Sequence, residues 1–171
     1  MLKNIKSKFN KVKLLALDFD GVLTDGYVRV DQDGRESVRC SRKDGLGIEL
    51  LKKNKIEVVV LSKEANPVVA ARCRKLKIKC WQKIANGEGK LEILKRIMKE
   101  KGVSPEEVAY MGDDLNDLKV LEKVGLAVTV ADGHELAKRR CHYVTKAQGG
   151  QHAVREVCEE ILKAKNINLE S

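Results

Sequence analysis

The sequence predicts an α/β protein built on a doubly wound parallel sheet. Leu14–Leu17 form an unalternating apolar run, which is typical of a strand buried on both faces of such a sheet. Further apolar segments follow, separated by stretches of helical character, and each ends in polar residues. The length of 171 residues fits one domain with its own core, and no low-complexity linker divides it. We therefore treat residues 1–171 as a single domain.

Two carboxylates follow the first predicted strand. Asp18 and Asp20 lie two positions apart, and Asp18 emerges at the carboxyl end of the strand, where parallel sheets gather their ligands. Because neighbouring ionised carboxylates repel each other, this pair indicates a bound cation or a shared proton. Gly21 allows a sharp turn and the close approach of a ligand. The alternative is an ordinary surface turn, in which Asp and Gly are common.

Composition indicates a soluble protein that acts on a small anion. Charged residues make up 35% of the chain and the net charge is +9, but the lysines are spread along the sequence and aromatics are only 4%. Nucleic-acid readers that stack bases need more aromatic side chains, so we expect no nucleic-acid partner. No apolar run is long enough to span a bilayer, and we expect no membrane partner. Residues 1–13 predict a short amphipathic helix packed on its own domain, with a membrane-surface anchor as the alternative.

The five cysteines point to a reducing compartment. They contain no CxxC pair, which argues against a zinc site. Their odd number and the lack of a recognisable secretory signal predict reduced thiols in the cytoplasm.

The remaining elements follow in chain order. Alternating residues on both sides of Asp31–Gly34 predict a β-hairpin at about 26–40. Asp44 is the expected N-cap of a helix that runs to Lys53. The other expected strands are Ile56–Leu61, Lys79–Lys83, Val108–Met111, Gly125–Val130 and Tyr143–Val144, and the other expected helices begin near Pro67, Leu91 and His134, with a terminal one that ends at Ala164.

Two motifs carry a family resemblance. The stretch Asp18-Phe19-Asp20-Gly21-Val22-Leu23-Thr24-Asp25 resembles the first motif of haloacid-dehalogenase-type (HAD) phosphatases, in their sugar-acid phosphatase branch. Gly112-Asp113-Asp114-Leu115-Asn116-Asp117 resembles the fourth motif of the same family. The resemblance covers about residues 12–160. It implies a Rossmann-like HAD fold in which the hairpin at about 26–40 stands in place of a cap domain.

The resemblance also implies catalytic roles. Asp18 would be the nucleophile that forms an aspartyl phosphate, and Asp20 would be the general acid and base. A Mg²⁺ ion would be held by Asp18, by the backbone carbonyl of Asp20 and by Asp113, since magnesium prefers oxygen ligands. Asp114 and Asp117 would orient waters and a lysine around that ion. The alternative for Asp117 is an acid placed in the first turn of a helix.

The second and third motifs of the family are each a single residue. Ser62 matches the second, a hydroxyl that hydrogen-bonds the phosphoryl group, and its alternative is a cap for the next helix. Lys90 matches the third, an ammonium that would neutralise Asp18 and the phosphate. Lys83 is the alternative for this position, because the glycine-rich stretch Asn86–Gly89 lengthens the loop before Lys90.

A phosphorylated sugar acid is the substrate that the resemblance implies. Two candidates compete, a sialic-acid-type nonulosonate 9-phosphate and 3-deoxy-octulosonate 8-phosphate. Glu64, two positions after Ser62, favours the nonulosonate, because the octulosonate group carries Arg there. The residues that we expect to contact substrate are Gly21, Thr24, Asp25, Glu64, Arg72 and Lys75.

The hairpin is too small to close an active site alone. A neighbouring subunit would supply the missing wall, and the resemblance implies a homotetramer in which hairpins meet. A different class of function is a non-catalytic HAD-like oligomerisation domain, of the kind associated with sugar-acid cytidylyltransferases. That class would have lost Asp18 or Asp113, and both residues are present.

Overall fold

The sheet has the predicted parallel and doubly wound arrangement. The computed structural model describes residues 2–169. In chain order the strands are β1 (Leu14–Leu17), β2 (Arg29–Val30), β3 (Glu36–Ser37), β4 (Glu57–Leu61), β5 (Lys79–Trp81), β6 (Val108–Met111), β7 (Leu126–Thr129) and β8 (Tyr143–Val144). Within the described residues, six of them form one parallel sheet in the order β5-β4-β1-β6-β7-β8, while β2 and β3 form a separate antiparallel hairpin.

Helices cover both faces of this sheet. They are α1 (Leu2–Lys11), α2 (Arg42–Lys53), α3 (Pro67–Leu76), α4 (Gly87–Lys101), α5 (Leu118–Leu121), α6 (Glu135–Arg140) and α7 (Ala153–Ala164). In β1, Leu15 and Leu17 are buried with α1, α2, α3 and α7, whereas Leu14 and Ala16 are buried with α4, α5 and α6. Alternate residues of the strand therefore face opposite apolar layers, which explains why its sequence shows no polar alternation.

The register of β1 places polar residues at one edge of the sheet. Leu17 pairs with Val60 of β4 on one side and with Met111 of β6 on the other. The chain runs from β1 to β4 and β5 and then crosses back to β6, so the strand order reverses beside β1. Open α/β sheets bind ligands at such a reversal, outside the carboxyl ends of the strands.

Helix α2 begins earlier than the sequence predicted. Ser41 is its N-cap, since the Ser41 hydroxyl oxygen accepts hydrogen bonds from the N–H groups of Lys43 and Asp44. The prediction that Asp44 caps this helix was wrong. Asp44 is buried in the first turn, where its Oδ1 accepts a hydrogen bond of 2.9 Å from the N–H of Arg155. A contact with α7 therefore occupies the carboxylate that the sequence offered as a cap.

Helix α4 also begins earlier than expected. Asn86 is its N-cap, because its side-chain oxygen accepts a hydrogen bond of 3.0 Å from the N–H of Gly89. The glycine-rich stretch is therefore the start of the helix, and Lys90 lies at the end of its first turn. The preceding strand ends at Trp81 rather than Lys83, whose backbone has a φ of 59°. A left-handed residue cannot continue a strand.

The predicted hairpin is present and lies between β1 and α2. Asp31 organises its turn, since its Oδ1 accepts hydrogen bonds from the N–H groups of Asp33 and Arg35.

The predicted N-terminal helix is also present and buries Phe9, although the Leu2 side chain lies outside the described residues. None of the helices in residues 2–169 combines the length and the apolar character needed to cross a membrane.

The loop before α7 packs on the turn that follows β1. The N–H of Gly150 donates to the carbonyl of Val22 at 3.0 Å, and the N–H of Gly149 donates to Asp132 Oδ1 at 2.9 Å. A Cβ atom added at Gly149 would collide with the carbonyl oxygens of Gly21 and Thr24. This close backbone contact requires glycine at position 149.

We expect Gly149→Ala to lower the free energy of unfolding by more than about 2 kcal/mol, because the colliding atoms belong to the backbone and cannot rotate away. Gly102→Ala is the control. Its new methyl group would meet open space, at a positive φ of 63°, so only backbone strain of about 1 kcal/mol applies. Urea denaturation measures both variants, and equal losses would contradict the tight contact.

Candidate active site

The candidate site lies where the carboxyl ends of β1, β4 and β6 meet the start of α4. Asp18 follows β1, Ser62 follows β4 and Asp113 follows β6 by two positions, while Lys90 reaches in from α4. The three parallel strands end at one edge of the sheet, so segments distant in sequence deliver these side chains to one place.

A buried ion-pair network joins Lys90 to two aspartates. The Lys90 ammonium donates to Asp18 Oδ2 at 2.6 Å and to Asp117 Oδ1 at 2.8 Å. The lysine side chain is 1% exposed, and burial alone would lower its pKa. The two carboxylates outweigh that effect and raise the pKa of Lys90 above its ordinary value. Lys83, the other candidate for this position, is exposed.

Asp18 is held in a defined orientation. Its Oδ1 accepts a hydrogen bond of 2.7 Å from the N–H of Phe19, and its Oδ2 accepts one from Lys90. Burial raises the pKa of Asp18, the nearby Asp117 charge adds to this rise, and Lys90 acts in the opposite direction. Burial is therefore the largest cause of the raised pKa, and the Lys90 ammonium does not offset it together with the Asp117 charge.

Asp117 has both carboxylate oxygens occupied by protein donors. Oδ1 accepts from Lys90 and from the Tyr110 hydroxyl, the latter at 2.6 Å. Oδ2 accepts from the backbone N–H groups of Asp113 at 3.0 Å and Asp114 at 3.3 Å. Asp117 is fully buried, unlike an acid that only complements the end of a helix. Its geometry is that of a residue that organises its neighbours.

The donor set fits a divalent cation. Carboxylate oxygens of Asp18, Asp113 and Asp117 lie within 4.8 Å of one another. Burial, followed by the charges of Asp117 and Asp114, raises the pKa of Asp113 to about 7. Since Asp117 is fully engaged, Asp18 and Asp113 are the carboxylates with capacity left for Mg²⁺, which takes oxygen ligands. Asp114 instead accepts from the N–H of Leu115 and caps the following turn.

The turn after β1 brings its backbone close to Asp113. Gly21 has a φ of 73°, and a Cβ atom there would overlap the Asp113 carboxylate. The buried Thr24 hydroxyl accepts hydrogen bonds of 3.2 Å from the N–H groups of Gly21 and Gly26 and fixes the turn. Asp20 lies half-buried on the turn, and its pKa is raised by burial and by the neighbouring Glu64 carboxylate.

An open cleft of about 230 Å³ leads to Asp18. Asp20, Gly21, Glu64, Asp113 and Asp114 line it together with three residues that sequence reasoning did not single out, which are Gly26, Lys63 and Asn116. Each of the three adjoins or lies within a motif, and this proximity is the feature of the sequence that could have identified them. Ser62 is buried next to the lining residue Lys63 and does not line the cleft itself, and its hydroxyl accepts a hydrogen bond of 3.0 Å from the N–H of Glu64. Asn66, not Ser62, caps α3.

Four of the six expected substrate contacts do not line this cleft, and one of them is the buried Thr24. Arg72 and Lys75 line a separate basic groove, in which Arg72 donates to the carbonyl of Ser41 at 2.7 Å. Helix α3 carries them away from the Ser62 end of β4, at a rise of about 1.5 Å per residue. Asp25 pairs with Arg39 at 3.0 Å beside the hairpin. Within one subunit, Asp25, Arg72 and Lys75 therefore do not line the Asp18 cleft, and their contact with substrate stays a prediction.

Comparison with known proteins gives consistent matches. Residues 48–157 match the haloacid dehalogenase-like hydrolase family. The chain is 40% identical over 163 residues to the 3-deoxy-D-manno-octulosonate 8-phosphate phosphatase KdsC of Escherichia coli K12, covering 95% of this chain and 85% of that protein.

Solved structures agree with the sequence matches. The 3-deoxy-D-manno-octulosonate 8-phosphate phosphatase from Moraxella catarrhalis, in complex with magnesium, phosphate and KDO, has a TM-score of 0.92 at 35% identity, over 97% of this chain and 94% of that one. The same enzyme from Yersinia pestis has a TM-score of 0.91 at 35% identity, over 95% and 87% of the two chains.

The raised pKa values predict how stability depends on pH without metal. Between about pH 4 and 7 the folded protein retains a proton on Asp113 that the unfolded chain releases, so stability falls as pH rises through this range. Asp18 and Asp20 shift in the same direction. We expect the Tm in EDTA to fall between about pH 4 and 7, and Mg²⁺ to raise the Tm more at about pH 8, where it does not compete with protons.

Asp113→Asn is the control for this measurement. His142 opposes the trend, because burial lowers its pKa from 6.5, and the variant retains His142 while losing the Asp113 carboxyl. We expect the variant to have a shallower fall of Tm with pH than the native chain. The same slope in both proteins would contradict the pKa of about 7 for Asp113.

Proposed function

The chain belongs to the haloacid dehalogenase-like hydrolase family, and we propose that it is a magnesium-dependent phosphatase that hydrolyses a phosphorylated sugar acid. The observation that carries the proposal is the buried Asp18, oriented by Lys90 and open to a cleft beside Asp113. The names of the similar proteins, phosphatases of a sugar-acid phosphate, support the substrate class.

We propose that Asp18 attacks the phosphorus atom and that the bond from phosphorus to the sugar oxygen breaks. This forms an aspartyl phosphate and divides hydrolysis into two easier steps. Asp20 donates a proton to the leaving oxygen, then removes one from the water that attacks the phosphoenzyme and releases phosphate and free Asp18. The raised pKa of Asp20 suits it to carry that proton.

The surrounding residues would stabilise charge during these steps. Lys90 favours the ionised form of Asp18 against the effect of burial, and it is placed to offset charge on the phosphoryl group. When bound, Mg²⁺ would supply further positive charge to the phosphoryl oxygens. Asp18, Asp113 and the backbone carbonyl of Asp20 would hold it. The Ser62 hydroxyl, next to the lining residue Lys63, would donate a hydrogen bond to a phosphoryl oxygen.

Two observations favour different sugar acids. The names of the similar enzymes favour 3-deoxy-octulosonate 8-phosphate. Glu64 lines the cleft beside Asp20, where a carboxylate would accept hydrogen bonds from the hydroxyl and N–H groups of a sialic-acid-type sugar and repel additional anions. On this ground we place the nonulosonate 9-phosphate first and the octulosonate 8-phosphate second.

A non-catalytic oligomerisation domain is the second candidate function. Its supporting observation is the exposed hairpin, which offers an apolar surface. The phosphatase is preferred because a domain with no catalytic role has no need for a buried network of Asp18, Lys90 and Asp117, whose charges are costly to desolvate.

The deciding experiment compares kcat/KM on both sugar phosphates in the presence of Mg²⁺. We expect the nonulosonate 9-phosphate to be the better substrate. Asp18→Asn should keep the fold but lower kcat more than about a thousandfold, because the amide retains the shape and loses the nucleophile. A variant that kept a tenth of the native kcat would exclude Asp18 as nucleophile. No turnover of either sugar by the native chain would reject the proposed function.

We also propose a homotetramer in which hairpins of neighbouring subunits pack together. The hairpin exposes Tyr27 (80%), Val28 (49%) and Val30 (60%), an apolar surface that a second copy would bury. The cleft is open in one subunit, and the basic groove of Arg72 and Lys75 lies apart from it. A neighbour could bring that groove to the mouth of the cleft, where its cations would bind the sugar carboxylate.

Val30→Asp should therefore dissociate the assembly and lower kcat/KM about tenfold or more, although every residue of the Asp18 cleft remains. Val144→Asp is the matched control, because Val144 is 40% exposed but lies on β8, away from the hairpin. Light scattering gives the mass of each variant at assay concentration. A native chain that is monomeric and fully active would contradict the proposal.

A further inference from the structure

Tyr110 is a buried polar residue in the central part of the sheet. It lies on β6, paired with Ala16 of β1 on one side and Ala127 of β7 on the other. The two small neighbours leave room for its ring, and the residue is fully buried. A hydroxyl at such a depth is costly unless it is hydrogen-bonded. Phenylalanine would fill almost the same volume without that requirement.

The Tyr110 hydroxyl is directed at the residue that organises the site. It donates to Asp117 Oδ1 at 2.6 Å, the same oxygen that accepts from Lys90 at 2.8 Å. Lys90 in turn donates to Asp18 Oδ2 at 2.6 Å. One continuous hydrogen-bonded chain therefore connects a tyrosine in the core of the sheet to the proposed nucleophile.

We propose that Tyr110 is a positioning residue for phosphoryl transfer, whose hydroxyl fixes the Asp117 carboxylate and through it both Lys90 and Asp113. This inference rests on the proposed phosphatase function. Asp117 Oδ1 divides its interaction between two donors, which leaves the Lys90 ammonium shared between Asp117 and Asp18. Asp117 Oδ2 holds the backbone N–H of Asp113, so the carboxylate orientation also sets the position of Asp113.

Loss of the hydroxyl has a directional consequence. Of its two donors, Asp117 Oδ1 would then keep only the Lys90 ammonium. It would attract that ammonium more strongly and draw it away from Asp18. The carboxylate would also be freer to rotate, which loosens its hold on Asp113. The first effect weakens the chemical step and the second weakens Mg²⁺ binding. The hydroxyl contacts Asp117, and Tyr110 does not line the cleft, so binding of the substrate should change little.

Tyr110→Phe tests this inference against Tyr143→Phe. Tyr143 also donates a hydrogen bond of 2.7 Å to a carboxylate, but its partner is Glu156, away from the cleft. We expect Tyr110→Phe to lower kcat about tenfold with KM within about twofold of native, and to raise the Kd for Mg²⁺ about tenfold by calorimetry. Tyr143→Phe should leave kcat and the Kd near native, whatever its effect on Tm.

A double variant distinguishes action through Asp117 from a general loss of stability. In an Asp117→Asn background the further change Tyr110→Phe should have little added effect on kcat, because the carboxylate it positions is already gone. Should Tyr110→Phe fold poorly, Tyr110→Met removes the same hydroxyl with an adaptable apolar side chain and carries the same expectation.

The inference is overturned if Tyr110→Phe or, where needed, Tyr110→Met keeps both kcat and the Kd for Mg²⁺ within twofold of native while Tm alone falls. It is also overturned if the effects on kcat are additive with Asp117→Asn. Failure of the proposed function is a separate result. It would be seen as an inactive native chain, and the Kd for Mg²⁺ in native and Tyr110→Phe proteins would still decide the inference.

Discussion

The structure of the site depends on one buried ammonium group. Lys90 is nearly inaccessible to solvent and is shared between Asp18 and Asp117 at 2.6 and 2.8 Å. Removal of one partner from a buried ion pair costs about 3–5 kcal/mol, because the remaining charge stays buried and unpaired. Here a single lysine serves two carboxylates, while Asp113 lies near them with its pKa raised to about 7. The negative charge exceeds what Lys90 can neutralise, which makes the site receptive to a divalent cation.

The position of this ammonium follows from local structure several residues away. Asn86 caps α4 and fixes where the helix starts, so that Lys90 faces inward at the end of the first turn. The register of β1 against β4 and β6 then determines where Asp18 meets it. Neither the helix cap nor the strand register carries chemistry itself. Together they give a flexible four-carbon side chain one defined location, which reduces the entropy lost when it pairs.

Much of this arrangement could be predicted from the sequence, and the part that could not has an identifiable physical cause. Unalternating strands and the motifs around Asp18 and Asp113 are local patterns, and both the sheet and the proximity of these residues follow from them. The start of α2 was missed because Asp44, a good cap by residue type, is engaged by the backbone of α7. The separation of Arg72 from the Asp18 cleft could not be predicted, because order along the chain does not reveal the direction in which a helix leads away. The role of Tyr110 depends on a hydrogen bond from its hydroxyl to Asp117, seven residues later in the chain. The apolar pattern of the strand does not distinguish a tyrosine with this contact from one that only packs in the core.

The contact between the loop before α7 and the turn after β1 has a consequence for protein synthesis. The segment with Asp18 and Gly21 is translated before Gly149 and Gly150, whose contacts brace its backbone. A nascent chain that ends before this loop exposes an incomplete turn, with its peptide groups hydrated instead of packed. Asp18 therefore acquires its final surroundings only after the loop before α7 has been translated.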